Sequence, residues 1–501
     1  MNRNASIAAA ATFLVHLIAN PHYGFFRDEL YFIVCGFHPA WGYVDQPPVV
    51  PLLAAATQLF GHSLVLLRAV PALFAAASVY VTFQLAAELG GGTFAQCFAG
   101  LVAALTPVLM SFGSKATTDE VGLWLWPLAA LYVLRIANGA SPRWWLAAGV
   151  ATGAGIESKY SMLFFVAALL AGLLVGSRRR VLASWWFAAG ALAALAIVLP
   201  NFMWQLGNGF PMVTLLEHAN EYRNIPLGPG QYAISQILLT NPLLAPFWLI
   251  GLVALLRRSD ARFLGIAYVL LIAQMIVLHG KHYYPGDVYP IPIAAGAVAI
   301  EAWSARRGVV RAALAVYAAA AGAVLIPLVM PVLPEPALIA CAAQARRLFA
   351  PEVTIARGVR SQLGVLPPDF ADMHGWPRLA ATVARVYDSL PPSQRAQTAI
   401  IAKNYGEASA IDFFGPRYGL PQALSGENQY WIWGTHAYTG SIVIDVDGTC
   451  DAGSASFRYR RVAAHFDDPW AMPFENGAPI SICEGLSEPL AAYWPNARNY
   501  L

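Results

Sequence analysis

The chain has 501 residues and a formal net charge of +3, with 58% hydrophobic and only 12% charged residues and a mean hydropathy of +0.52. Soluble domains carry about 25% charged residues, so the composition excludes an ordinary water-soluble core. It gives no reason to expect a nucleic-acid partner.

The apolar residues fall into blocks close to the roughly 20 residues that a helix needs to cross a ~30 Å hydrocarbon core. In chain order these blocks predict about eleven transmembrane helices, at 5–24, 64–88, 94–112, 119–137, 144–158, 160–176, 182–200, 232–256, 262–279, 287–303 and 312–333. They are expected as helices because backbone groups in lipid need partners inside their own segment. The fifth block is short, and Gly153 and Gly155 near its end suggest a close packing contact. No small-residue cleavage pattern precedes Arg27-Asp28, so the first block reads as a retained span. With a cytoplasmic N-terminus, twelve Lys and Arg, including Arg178, Arg179, Arg180, Arg257, Arg258, Arg306 and Arg307, fall on the cytoplasmic side and six fall outside. That is the positive-inside pattern, and an odd number of spans then leaves the C-terminal part outside.

The first outer loop is long. It runs Phe26-Arg27-Asp28-Glu29-Leu30-Tyr31-Phe32 and continues to Trp41-Gly42-Tyr43-Val44-Asp45-Gln46-Pro47-Pro48. Amphipathic character over 29–37 predicts an interfacial helix, and Pro47-Pro48 ends it or turns the chain. The acidic residues inside, Glu88, Asp260 and Glu301, are scattered singly. Outside they are concentrated: Asp28, Glu29, Asp45, Asp119, Glu120, Glu157, Glu217, Glu221 and Asp287. One such residue alone reads as a solvated loop charge. Two pairs at the mouths of spans, Asp28-Glu29 and Asp119-Glu120, point to a site on one membrane face.

Basic and aromatic groups join them, in Glu157-Ser158-Lys159-Tyr160 and Gly280-Lys281-His282-Tyr283-Tyr284-Pro285. A lysine at this depth suits a lipid-linked phosphate as a point charge. Tyr283 and Tyr284 equally fit an ordinary interfacial aromatic belt. Glu217 and His218 offer two ligands for a divalent metal, but an adjacent pair does not establish one. No other cofactor is expected.

Composition shifts after Pro334, dividing the chain into a transmembrane domain, 1–334, and a soluble outer domain, 335–501. Residues 398–402 and 441–446 read as buried strands. Helical stretches near 338–349 and 377–389 complete a small α/β domain. Cys450 and Cys483 either pair in an oxidising compartment or remain thiols. Cys35, Cys97 and Cys341 lack metal-ligand spacing.

The Asp28-Glu29 pair after span one, the Trp-Gly-Tyr-x-Asp-x-Pro-Pro stretch and Thr117-Thr118-Asp119 resemble the GT-C membrane glycosyltransferases. More narrowly they resemble bacterial glycosyltransferase family 39, related to protein O-mannosyltransferases and lipid A aminoarabinose transferases. Ser158-Lys159-Tyr160-Ser161 and Lys281-His282-Tyr283-Tyr284 fit the same pattern. So do Asn404-Tyr405-Gly406-Glu407-Ala408, Asp412-Phe413-Phe414-Gly415 and Gly419-Leu420-Pro421 in the outer domain. The resemblance implies a GT-C-type helical membrane protein of the bacterial inner membrane, with an extracytoplasmic α/β domain. It implies a polyprenyl-phosphate sugar as donor and a lipid, glycan or protein acceptor. Asp28 corresponds to the catalytic base of an inverting displacement, supported by Glu29. Lys281 and Lys159 are then the candidates for the donor phosphate, helped by Arg27, His282, Tyr283 and Tyr284. Asp119, Glu120 and Asp45 line the acceptor side or orient the other groups. The main alternative, a transporter or flippase of a lipid or small solute, predicts inverted repeats that the chain does not show.

Overall fold

The computed structural model describes residues 2–224, 226–355, 364–448, 450 and 457–500. A helical bundle comes first: α1 (Arg3–Ala19), α2 (Arg27–Phe37), α3 (Val49–Ala56), α4 (Leu64–Glu88), α5 (Thr93–Ala104), α6 (Pro107–Phe112), α7 (Gly122–Ala137), α8 (Trp144–Ile156) and α9 (Ser161–Val175). It continues with α10 (Trp185–Gly207), α11 (Pro211–His218), α12 (Pro229–Leu239), α13 (Ala245–Arg257), α14 (Arg262–Val277), α15 (Pro290–Trp303), α16 (Gly308–Ala323) and α17 (Ile326–Val329).

Helices lie in all the expected segments, but three of those segments are broken. The block 94–112 divides into α5 and α6, because Pro107 cannot donate to the α5 ladder and instead starts a new helix at its first position. The block 232–256 divides into α12 and α13 at Asn241, which adopts a left-handed backbone at φ 71° just before Pro242. The block 312–333 ends in the separate short α17. Among the described residues, and by length and composition alone, α4 and α10 are the helices long and apolar enough to cross a membrane; the other apolar helices have 10–17 residues. The outer surface of α10 exposes Leu192, Leu195, Leu199 and Phe202, a face suited to lipid.

Glycines set how closely the helices approach. Gly149 on α8 and Gly190 on α10 face each other backbone to backbone, as do Gly251 on α13 and Gly296 on α15. A Cβ at any of these positions would strike the opposite chain, the small-residue packing that replaces the hydrophobic effect in lipid. Gly153 also faces α10, at Ala194 and Ile197.

The C-terminal part adds α18 (Glu335–Ile355), α19 (Pro368–Ala371), α20 (Trp376–Asp388), α21 (Pro392–Arg395) and α22 (Tyr405–Phe414). Its sheet contains β1 (Thr398–Ala402), β2 (Ala423–Ser425), β3 (Ile442–Val446), β4 (Phe457–Phe466) and β5 (Ala478–Leu486), in the order β2-β1-β3-β5-β4. β1 pairs in parallel with β2 and β3, and β5 runs antiparallel to β3 and β4. Ile400, Ile444 and Ile482 line one buried face. A Cys450–Cys483 disulfide ties the chain after β3 to β5.

The first outer loop departs from the interfacial helix expected of it. Residues 29–36 of α2 are buried throughout, because α2 packs between α3 and α22 of the outer domain. Its amphipathic pattern therefore serves protein burial on two sides. At its start, Glu29 forms a fully buried ion pair with Arg68 of α4, with Nε to Oε1 and Nη2 to Oε2 both at 2.9 Å. The same carboxylate accepts the amides of Phe26 at 2.8 Å and Ala116 at 3.0 Å. Arg68 donates onward to the carbonyls of Asn20 at 2.6 Å and Gly24 at 2.7 Å.

Arg68→Met would strand the Glu29 carboxylate in the interior, at a cost of about 3–5 kcal/mol. The expected result is a marked fall in melting temperature and yield in lipid nanodiscs, with Arg68→Lys restoring little because it lacks the planar fork. A methionine variant that melts like the wild type would show that this pair does not anchor α2.

Candidate active site

Asp28 stands beside Glu29 in the first turn of α2, where the helix dipole favours negative charge. Its side chain is 31% exposed, whereas that of Glu29 is completely enclosed. The two neighbours are thus chemically distinct: Glu29 is saturated by Arg68 and backbone amides, and Asp28 opens toward solvent. Asp28 Oδ1 accepts the hydroxyl of Tyr405 at 2.7 Å and lies 3.7 Å from Arg27 Nε. Among the described residues, no hydrogen bond reaches Oδ2.

Arg27 turns toward the outer domain. Its amide donates to the Asp372 carbonyl at 3.1 Å, Nη2 lies 3.9 Å from the Asp372 carboxylate, and its guanidinium sits 5.3 Å from the centre of the Tyr405 ring. Burial works to lower its pKa, but Asp372, Tyr405, Asp28 and Glu475 outweigh burial and hold it well above the usual value.

The second acidic pair lies close to the first, since Glu29 bonds the Ala116 amide in the turn leading to Asp119-Glu120. Lys159 Nζ donates to Asp119 Oδ1 at 2.6 Å and sits over the rings of Tyr284, at 4.4 Å, and Tyr283, at 5.3 Å. Burial opposes its charge, but Asp119, Tyr284 and Asp287 together raise its pKa. Its ammonium is therefore held by one carboxylate and two aromatic faces. Asp287, buried against Gly122, has no hydrogen bond to Oδ1 among the described residues; the same holds for Glu120 Oε2. Both are orphaned acceptors at the rim of this cluster.

The Lys281–Tyr284 segment is pinned through its backbone. Tyr232 donates to the Lys281 carbonyl at 3.1 Å, and Gln236 to the His282 carbonyl at 2.8 Å. The rings of His282, Tyr283 and Tyr284 follow one another edge to face. Tyr31 donates to Asp45 at 2.9 Å, and Tyr31 also accepts the Gln429 amide at 3.2 Å, which links Asp45 to the outer domain. Elsewhere, His218 bonds the Tyr500 carbonyl at 3.1 Å. Among the described residues, three potential metal ligands converge at Asp445, Cys450 and Cys483, and both of those sulfurs belong to the disulfide.

Three site residues escaped the sequence reading. Tyr405 was visible only as part of an outer-domain motif, and Asp287 only as one outer carboxylate among several. Arg68, lying within an apolar block with its partner 39 positions away, offered a signal in its being charged at membrane depth.

The Asp45 carboxyl is pushed up to about 7, chiefly by burial and further by the charges of Asp28 and Glu427, although the Tyr31 hydrogen bond pulls the other way. A carboxyl with a higher pKa folded than unfolded favours the folded state at low pH, and that advantage is lost as pH rises through about 7. Burial likewise lifts Glu475 and Asp412 to about 7. Melting temperature is therefore expected to fall between about pH 4 and 7, the unfolded and folded values, and Asp45→Asn to flatten part of that fall. An unchanged slope in Asp45→Asn would rule Asp45 out as a contributor.

Residues 45–204 match the sequence model of a family described as dolichyl-phosphate-mannose-protein mannosyltransferase. The matched stretch includes Asp45, Asp119, Glu120 and Lys159, and Asp28 precedes it. No curated protein matches the chain. Among solved structures, the chain is similar to ArnT from Cupriavidus metallidurans in the apo state, at 15% identity and a TM-score of 0.61, covering 95% of this chain and 97% of that one. It is also similar to the same protein bound to undecaprenyl phosphate, at 16% identity and a TM-score of 0.56 over the same shares. The expected resemblance is borne out in the fold: the chain has the fold of ArnT, and residues 45–204 match a mannosyltransferase family model.

Proposed function

We propose that the chain is a glycosyltransferase that moves a sugar from a polyprenyl-phosphate donor to an acceptor hydroxyl, on the extracytoplasmic face of a bacterial inner membrane. The observation that carries this reading is the contrast between Asp28 and Glu29. Of two adjacent carboxylates at one helix start, one is locked and the other keeps an oxygen available for a proton. Asp28 takes the proton of the acceptor hydroxyl as that oxygen attacks the anomeric carbon of the sugar. The bond from that carbon to the phosphate oxygen breaks, and its electron pair leaves with the polyprenyl phosphate. A single displacement of this kind inverts the anomeric centre.

The departing phosphate gains charge, and fixed cations beside it lower the barrier. Lys159 and Lys281 are assigned this role, with His282, Tyr283 and Tyr284 shaping the pocket and Asp119 holding Lys159 in place. Asp45 and Glu120 belong to the acceptor side. The fold shared with ArnT, which has been crystallised with undecaprenyl phosphate, supports a lipid-phosphate donor. A membrane setting follows from that donor, since a polyprenyl chain stays in the bilayer and the acceptor must come to it.

The test is release of polyprenyl phosphate from membrane-extracted polyprenyl-phosphate sugars by protein in nanodiscs, followed by mass spectrometry. Asp28→Asn is expected to lower turnover by roughly 10²–10⁴-fold while remaining folded, and the product should carry the inverted anomer. Turnover undiminished in Asp28→Asn would remove Asp28 as base. No release from any donor pool would return the chain to the transporter reading.

A further inference from the structure

Tyr405 of the C-terminal domain reaches the candidate base itself. Tyr405 and Asp28 lie 377 positions apart, yet the phenol donates to Asp28 Oδ1 at 2.7 Å. The phenol is held from several sides. Its ring packs at a tilt against Tyr31, with 4.6 Å between centroids, and lies under the Arg27 guanidinium. Its amide donates to Glu427 Oε2 at 2.8 Å, at the first position of α22. The start of α22 is itself closed by a capping box, in which Asn404 accepts the Glu407 amide at 2.9 Å and Glu407 accepts the Asn404 amide at 3.4 Å. Tyr31 is fixed in turn by Asp45 and the Gln429 amide. A donor held this firmly loses little rotational freedom when it bonds the carboxylate.

We propose that Tyr405 is a positioning residue for the transfer reaction, so that the outer domain completes an active site whose base lies in the helical bundle. This rests on the reading of Asp28 as base. By occupying Oδ1, Tyr405 fixes the carboxylate plane and leaves Oδ2 to take the acceptor proton. Tyr405 keeps its own proton throughout, and no bond is made or broken at it. A tyrosine that merely glued the domain to the bundle would act through its ring, which Phe preserves. The positioning role lies in the hydroxyl alone.

Tyr405→Phe therefore separates the two. The expected result is a kcat lowered roughly 10-fold, as for loss of a hydrogen bond to a charged group, with donor KM within about twofold. The acidic limb of the kcat–pH profile should move to higher pH, because the anionic base has lost a donor. Replacing Tyr405 by a ring-fluorinated tyrosine keeps its shape, strengthens the donor, and should move that limb to lower pH; it also serves if Tyr405→Phe fails to fold. The double variant Asp28→Asn/Tyr405→Phe should be no slower than Asp28→Asn. Wild-type kcat and pH profiles in both tyrosine variants, with Asp28→Asn inactive, would overturn the positioning role alone. Full activity in Asp28→Asn would overturn the base reading and this proposal with it.

Discussion

The buried Glu29–Arg68 pair is the interaction on which the rest of the site depends. Two charges removed from water carry a penalty of several kcal/mol each unless good geometry and further hydrogen bonds offset it. Here the offset comes from the Phe26 and Ala116 amides on one side and from the carbonyls of Asn20 and Gly24 on the other. That network ties four segments together: the end of α1, the start of α2, α4 and the turn before α7. Its consequence is geometric. Once Glu29 is locked inward, its neighbour Asp28, about 100° further round the helix, points away from that network, partly to solvent and partly to Tyr405.

The second constraint is the surface between bundle and outer domain. α2 presents Arg27, Asp28 and Tyr31 to that domain, which answers with Asp372, Tyr405 and the Gln429 amide. Aromatic contacts extend the seam: Phe25 meets Phe413 at 5.0 Å, His62 stacks on Phe413 at 3.9 Å, and His38 lies 4.8 Å from Trp433. The C-terminal domain thus covers α2 and shares the environment of its charged residues. Arg27 in particular spends its charge on Asp372, Asp28 and Tyr405.

The cluster around Lys159 shows how a bundle can hold a buried cation. One short ion pair to Asp119 and two tyrosine faces replace its hydration shell. The nearby orphaned oxygens of Asp287 and Glu120 are polar groups with capacity to spare, concentrated where the chemistry is proposed.

Apolar blocks, their loop charges and the local strand and helix patterns could be read from the chain alone, because hydrophobic periodicity and proline breaks act over a few neighbouring residues. The helical segments and the strands at 398–402 and near 442–446 were legible in this way. A local reading could not distinguish Asp28 from Glu29: adjacent carboxylates look alike until a partner 39 positions on chooses one of them. Nor could it see that α2 is buried on both sides, since an amphipathic pattern records an apolar face without naming what covers it. Tyr405 reaches Asp28 only because the C-terminal part packs against α2 of the bundle. Local chemistry was therefore determined by the sequence; which carboxylate is locked, which is open and what holds it were decided by contacts that exist only in the folded chain.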